Sequence, residues 1–495
     1  MPFESFAGPN AWDAKAVWPQ KCYDSSLKGK CDDEKYGEIQ EIQEHFQFPD
    51  FASFHNCYLY TDMAIADVVE AYRDTFHQNF GIDPVRYVTL ASAAWDAMMK
   101  RCAPRRNSLQ LINNRKIYDL VKSSMRGGLS NAFQPYAKAN NSLVVDYDDR
   151  LPTTWAPKFD VNSQYPTVMN NPLPCDGGYL LDLPSERKAR MKLFCDCLHE
   201  SDFRQKDFGH SYLVEVDYYL PLDQHDRVDW GLDKAPKNEK LMPYLGHHRR
   251  EVIRLRLLRF YMEVLGVRVE EVYSIVVFGC KAFMSPFIRE CYERRLEFKR
   301  QGRKLQADVV KLTMNVQYGK SVQNQERFVR SFVCFDVEEF GRRSAGPRMV
   351  DLHASPIGHG GFFAIVDELT PGGSLLKTMP QVGTFVLDEA RLGIMRNYYH
   401  MKLVFDGCLT KACDEARPQS ERSKVQIIYT DTDSVIVLIH SETHPSCQLD
   451  YEKGMTYLQS IGVDPDSAQL AFQLRGCLGG FGDENAPLTM MEVVC

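Results

Sequence analysis

KVQIIYTDTDSVIVLI (residues 424–439) sets two apolar, β-rich runs around a short Asp-Thr-Asp turn, the pattern of a β-hairpin. Asp431 and Asp433 sit at its tip, between flanks that read as buried. Asp and Thr are ordinary turn formers, and an isolated Asp-Thr-Asp reads as nothing more. The flanks alter that reading. Two acids held in a tight reversal between hydrophobic strands accumulate negative charge, which a bound cation relieves at little cost.

Working outward, a further acid ends an apolar approach in KFDVNSQYPTVM (158–169): Asp160, after which Ser, Tyr and Pro mark a strand turning into a new element. Alone it is a common strand-end residue. KLTMNVQYGK (311–320) continues a basic helical stretch and places Lys311, Asn315 and Tyr318 on one face, at i, i+4 and i+7. A solvated amphipathic helix explains Lys311 equally well, but explains Asn, Tyr and then Gly on that face less well. Together the pieces suit one chemistry. Phosphoryl transfer to a 3′-hydroxyl needs two hard cations about 3.5–4 Å apart, held by carboxylates and the substrate's phosphates. It also needs positive charge against the triphosphate as pyrophosphate departs. Asp160 and Asp433 meet the first need, and Lys311 with Lys299 the second.

The bulk properties permit this without pointing to it. At 495 residues, 44% apolar and 25% charged, the chain is too long for one ordinary core and has the composition of a soluble protein. No apolar run is long enough for a transmembrane helix, and the N-terminus lacks a signal pattern. Fifteen cysteines include no C-x-x-C pair, only CDC at 195–197, which reads as reduced intracellular thiols rather than zinc ligands or disulfides. The net charge of −7 disfavours a polyanion partner only if read globally; RCAPRR (101–106), HHRREVIRLRLLR (247–259) and RRLEFKRQGRK (294–304) are local basic clusters.

Residues 1–57 show no long periodic stretch, and helical spacing begins at about Asp62 and runs to Phe80. Residues 126–160 read as short strands and turns. The stretch 210–236 alternates and then becomes a polar loop. From Pro286 to Gly319 two basic helices meet near Gln301-Gly302, because glycine weakens a helix. No internal repeat or low-complexity tract is visible.

DVNSQYP, KLTMNVQYG and YTDTDS resemble motifs A, B and C of family B DNA polymerases, in that order. VTLASAAWDAMMKR (88–101), MRGGLSNAFQPYAKANN (125–141), YLVEVDYYLPL (212–222), VFGCKAFMSPFI (277–288) and LGGFGDEN (478–485) are similar to the protein-primed, organellar and viral members of Polinton/Maverick elements and linear plasmids. The resemblance thus covers the chain from about Tyr58 onward. It implies a DNA-directed DNA polymerase that adds dNTPs to the 3′-hydroxyl of a primer–template in DNA replication. It also implies two divalent cations, Mg²⁺ or alternatively Mn²⁺, a terminal priming protein as partner, and no membrane. Asp160 and Asp433 are the implied metal ligands, with Asp431 the supporting catalytic acid. Tyr165 would lie under the sugar and exclude a ribonucleotide, and Lys299 and Lys311 would hold the triphosphate. Asn315 and Tyr318 would line the nascent base pair, where Gly319 permits close approach. Arg126, Gly127 and Gly128 would contact template DNA, and the stretch from there to Asp160 would dock the priming protein.

The chain also departs from the family pattern. Val316 and Gln317 stand where motif B has Ser and most often Leu, and Gln164 replaces a common Leu in motif A, so altered packing is expected. Of three exonuclease motifs only the third is visible, as Tyr58 and Asp62 in YLYTD; they are expected to be a leftover helix start, with proofreading absent. The chain stops at TMMEVVC, before the Lys-x-Tyr of a thumb, so truncation at both ends is expected, with a weakened primer grip. Rival readings are a truncated, inactive remnant that only binds DNA, another palm polymerase, and a metal-dependent nuclease. The expected fold is α/β (α+β), a right hand with an antiparallel palm sheet. Its parts are an RNase H-like exonuclease remnant (1–85), a connection contacting template and terminal protein (86–150), the palm (151–285 and 323–475), fingers (286–322) and the start of a thumb (476–495). No address is legible: nucleus, mitochondrion and plasmid association are all compatible.

Overall fold

The computed structural model describes residues 12–13, 15, 17–24, 29–103, 108–205, 207–221, 232–234, 242–323, 329–346, 349–357, 361–369, 378–406, 425–441, 481–483 and 492–494. The chain separates into two compact units, Met1–Arg86 and Tyr87–Cys495.

In the smaller unit, α1 (Asp33–Phe46) and α2 (Phe51–Phe80) each begin at an aspartate whose side chain accepts from a backbone N–H three residues on, Asp32 from Lys35 and Asp50 from Ser53. Phe51 stacks on Trp18 with ring centroids 4.2 Å apart, and both belong to a small aromatic core with Tyr23 and Phe54. This corrects two expectations. Residues 33–46 are helical, and the second helix starts eleven residues before Asp62, because Asp50 caps it and Phe51 and Phe54 bury its first turn. Tyr58 and Asp62 therefore lie inside a helix, one turn apart and exposed, rather than at its start. An RNase H-like remnant was expected here; the described residues of this unit form helices and no β-sheet.

The larger unit opens with α3 (Leu90–Cys102) and α4 (Arg115–Ser124), then the short strands β1 (Ser130–Ala132), β2 (Tyr136–Lys138), β3 (Thr154–Trp155) and β4 (Lys158–Val161). There follow α5 (Gln164–Met169), β5 (Leu173–Pro174), β6 (Tyr179–Leu180), α6 (Arg187–Glu200), β7 (His210–Leu220), β8 (Leu232–Lys234), β9 (Met242–Tyr244), β10 (Gly246–Arg254), α7 (Leu255–Val264) and β11 (Arg268–Lys281). The expected helical pair is α8 (Ser285–Arg300) and α9 (Lys304–Ser321), joined through Gly302 at φ 71°. Then come β12 (Val329–Cys334), α10 (Val337–Ser344), β13 (Met349–Ile357), β14 (Gly361–Leu369) and α11 (Pro380–Asp406). The expected hairpin is β15 (Val425–Asp431) and β16 (Ser434–His440), and β17 (Phe481–Asp483) and β18 (Glu492–Val494) complete the described chain.

The hairpin forms the middle of a six-stranded antiparallel sheet, ordered β1-β15-β16-β4-β17 with β3 also on β16. A second antiparallel sheet runs β10-β7-β11-β5, with β6 on β11. One core joins them, from Phe159, Val435 and Val437 on the first sheet to Val214, Val216 and Ile275 on the second, with α7 and α11 contributing Leu258, Phe260, Tyr398 and Tyr399. The acids that make β7 alternate in sequence do not face water freely. Asp217 is 6% exposed and accepts from Arg249, the Arg250 backbone and Tyr273. Of the polar loop expected after β7 and running to 236, residues 222–231 and 235–236 lie outside the described residues, and 232–234 form β8, paired with β9, instead of a loop. Most of the segment expected to begin a thumb does too; its described parts pair within the larger unit, β17 with β4 and β18 with β2. No described helix is long and apolar enough to cross a membrane.

Candidate active site

Strand pairing brings the separated acids together. On β4, Asp160 stands opposite Ser434 of β16 on one side and opposite Gly482 of β17 on the other. The Val161 N–H donates to the Asp433 carbonyl at 2.9 Å, fixing the hairpin turn beside motif A. The turn is tight: Asp433 N–H reaches the Asp431 carbonyl at 2.6 Å, and Thr432 between them adopts φ 56°. A left-handed threonine is rare, because a β-branched side chain crowds that backbone. Asp431 is exposed, and Asp160 and Asp433 are half-buried. The flanks are buried as expected, with Val425, Ile428, Val435, Val437 and Ile439 all nearly inaccessible.

After β4 the chain reverses through Ser163, also left-handed at φ 57°, and enters α5. Tyr165 then lays its ring on Tyr318 of α9, with centroids 4.1 Å apart and planes 23° from parallel. Burial, followed by the neighbouring Tyr318 and Asp433, pushes the Tyr165 hydroxyl pKa well up, so it stays protonated. Lys299 and Lys311 are exposed on α8 and α9, Asn315 is half-buried, and Gly319 is exposed, with nothing beyond its chain neighbours and its own helix backbone within 4 Å of where its Cβ would stand.

The unusual glutamines are anchors. Gln164 donates to the Ala390 carbonyl of α11 at 3.0 Å, and Gln317 to the Ala94 carbonyl of α3 at 2.9 Å. The altered packing expected at these positions is thus two buried side-chain hydrogen bonds between distant helices. Arg126, expected to contact template, has its guanidinium engaged within the protein. It is 7% exposed, held by Glu251 and donating to the Val252 carbonyl at 3.2 Å. Its neighbours do approach the site: Leu129 accepts from the Thr432 N–H at 2.9 Å, and a Cβ on Gly128 would lie 2.4 Å from Thr432 Oγ1. A cleft there is lined by Gly128, Gln164, Tyr165, Arg391 and Thr432.

Arg391 and its neighbour Asp388 escaped the sequence reading. The signal was present as LDEAR (387–391), three charges in the otherwise apolar first half of α11. Among the described residues no group of three or more His, Cys, Asp or Glu forms a metal-holding cluster.

A family model described as DNA polymerase type B, organellar and viral matches residues 27–339. Solved structures of Phi29 DNA polymerase are similar. The ternary complex with primer-template DNA and incoming nucleotides is 15% identical with a TM-score of 0.43, and the post-translocation binary complex is 15% identical with a TM-score of 0.46. Each match covers 94% of this chain and 59% of the Phi29 chain, so this chain spans about three fifths of its length. No curated protein matches. Matched over well over half its length, and carrying three ordered motifs of which the first and third meet across β4 and β16, the chain belongs to the organellar and viral type B DNA polymerases.

Proposed function

We propose that the chain is a DNA-directed DNA polymerase that extends a primer 3′-hydroxyl with dNTPs by two-metal-ion phosphoryl transfer. The observation that carries this reading is the pairing of Asp160 beside the Asp431–Asp433 turn, within reach of a Tyr165 ring stacked on the fingers helix α9. Asp160 and Asp433 hold the cations, with Asp431 in support. Two divalent cations bound there would activate the 3′-hydroxyl and offset charge on the leaving pyrophosphate. Lys299 and Lys311, on the exposed faces of α8 and α9, bind the triphosphate. Tyr165 excludes a 2′-hydroxyl, while Asn315, Tyr318 and the open space at Gly319 receive the nascent base pair. Gly127 and Gly128 lie near the template, and a terminal protein docks on the segment that follows them.

On this reading the palm comprises 151–285 and 323–475, the fingers 286–322, and the segment 1–85 is an exonuclease remnant without proofreading. Primer extension with Mg²⁺ and dNTPs tests the proposal by comparing the native chain with Asp433→Asn. We expect extension by the native chain and a loss of about 1,000-fold or more in the variant, since half of the protein's principal metal-binding charge is gone. Extension by both would sink the site assignment. Extension by neither, from folded protein, would favour an inactive remnant.

A further inference from the structure

The turn that carries Asp431 and Asp433 is seated on a glycine. Thr432, between the two acids, is left-handed at φ 56°, a conformation that a β-branched residue keeps only where its surroundings impose it. Those surroundings are the segment leading into β1. The ladder between β1 and β15 ends with Ser130 opposite Asp431, and just beyond it Leu129 accepts the Thr432 N–H at 2.9 Å. At Gly128 the Thr432 side chain leaves no room: a Cβ there would lie 2.4 Å from Oγ1, 2.6 Å from Cγ2 and 2.8 Å from Cβ. Rotation about χ1 cannot relieve this, because the Thr432 Cβ is itself too close and carries two heavy atoms in every rotamer. Gly128 is not left-handed, so space rather than backbone conformation excludes a side chain. The segment cannot retreat either. Leu129 is buried in the common core, and Arg391 of α11 donates to the Gly127 carbonyl at 2.6 Å.

We propose that Gly128 is a positioning residue: its missing side chain seats Thr432 and so fixes the turn that presents Asp431 and Asp433. This task is separate from the template contact that the family resemblance implies for Gly128. With the segment held on both sides, a side chain at 128 displaces the hairpin tip rather than itself, and the two acids move with it. The consequence for catalysis rests on the polymerase reading, whereas the seating does not.

Three variants test it: Gly128→Ala, Thr432→Gly and the two combined. Glycine at 432 accepts the left-handed φ and removes the atoms that a Cβ at 128 would strike. Thermal midpoints read the seating without metal, nucleotide or DNA. Gly128→Ala should melt about 2–6 °C below the native chain, and the double variant should melt no lower than Thr432→Gly alone. Primer extension by Gly128→Ala should lose about 10- to 100-fold in rate at saturating dNTP, with the KM for dNTP nearly unchanged. The double variant should extend as fast as Thr432→Gly. A native midpoint together with a native rate in Gly128→Ala overturns the proposal. So does a double variant as impaired as Gly128→Ala, which would leave Gly128 with the template contact alone. If Gly128→Ala does not fold, the double variant decides: folded, it supports the seating, and unfolded, it overturns it. If the native chain extends no primer, the polymerase reading falls, and the midpoints still decide the seating.

Discussion

Tyr165 meets three requirements at one position: its ring stacks on Tyr318, its hydroxyl stays protonated, and its neighbour Gln164 ties the same helical turn to α11. A ring so held can exclude a substituent by volume, with no need for a hydrogen bond. The expected outcome is that Tyr165→Phe keeps the preference for dNTPs over rNTPs, whereas Tyr165→Val lowers the ratio of their kcat/KM values by roughly 100-fold, or about 3 kcal/mol. Competitive incorporation of one dNTP and its ribonucleotide measures this. An unchanged ratio in Tyr165→Val would remove Tyr165 from the sugar site. Arg126 illustrates the opposite case at this scale. Its partner Glu251 lies 125 residues away, and nothing local in RGG announces that pairing.

Among the elements, α9 and α11 pack directly against each other. They touch at a glycine: a Cβ on Gly383 would lie 2.3 Å from Val322 Cγ1, 2.4 Å from Ser321 Oγ and 2.9 Å from the Tyr318 carbonyl. The last contact is with backbone of the residue that stacks on Tyr165, so relief must move α9 rather than a rotamer. Gly383→Ala should therefore destabilise the protein by about 1–3 kcal/mol, despite alanine's better helix propensity. It should also raise the KM for dNTP more than it lowers kcat. Urea unfolding and steady-state extension check the two parts, and a stabilised variant with native kinetics would show that this contact relaxes elsewhere. Gln317 anchors the same helix on its other side, to α3. The helix pair itself was legible from its basic periodicity and the Gly302 break, but these anchors were not, because each joins residues far apart in sequence.

For the molecule as a whole, what the sequence disclosed was local and what it withheld was pairwise. The hairpin, the short strands before Asp160 and the helix pair α8–α9 were readable from patterns within twenty or so residues. The start of α2 was missed because Asp50 and Phe51 signal a helix only once Trp18 is seen against Phe51. The charged interior was missed for the same reason: Glu389 on α11 meets Arg254 of β10 and Arg256 of α7, more than 130 residues earlier. That cluster ties a strand and two helices around the common core, and its pH dependence can be derived. Burial alone would raise the Glu389 pKa, but Arg254 and Arg256 outweigh it and hold the carboxyl at about 2, below its ordinary 4.5. Folding thus favours the ionised form, so this stabilisation is complete above pH 4.5 and is lost as pH falls toward about 2. With the side chain only 13% exposed, solvent screens it little, and the contribution is of the order of 3 kcal/mol. Glu389→Gln should accordingly be about 3–5 kcal/mol less stable than the native chain at pH 7, because it leaves two buried guanidinium groups without their carboxylate. Urea midpoints taken between pH 7 and pH 2.5 should show that gap constant down to about pH 5 and shrinking steadily below it. A gap that stays constant to pH 2.5 would mean that Glu389 stabilises the core by shape rather than by charge.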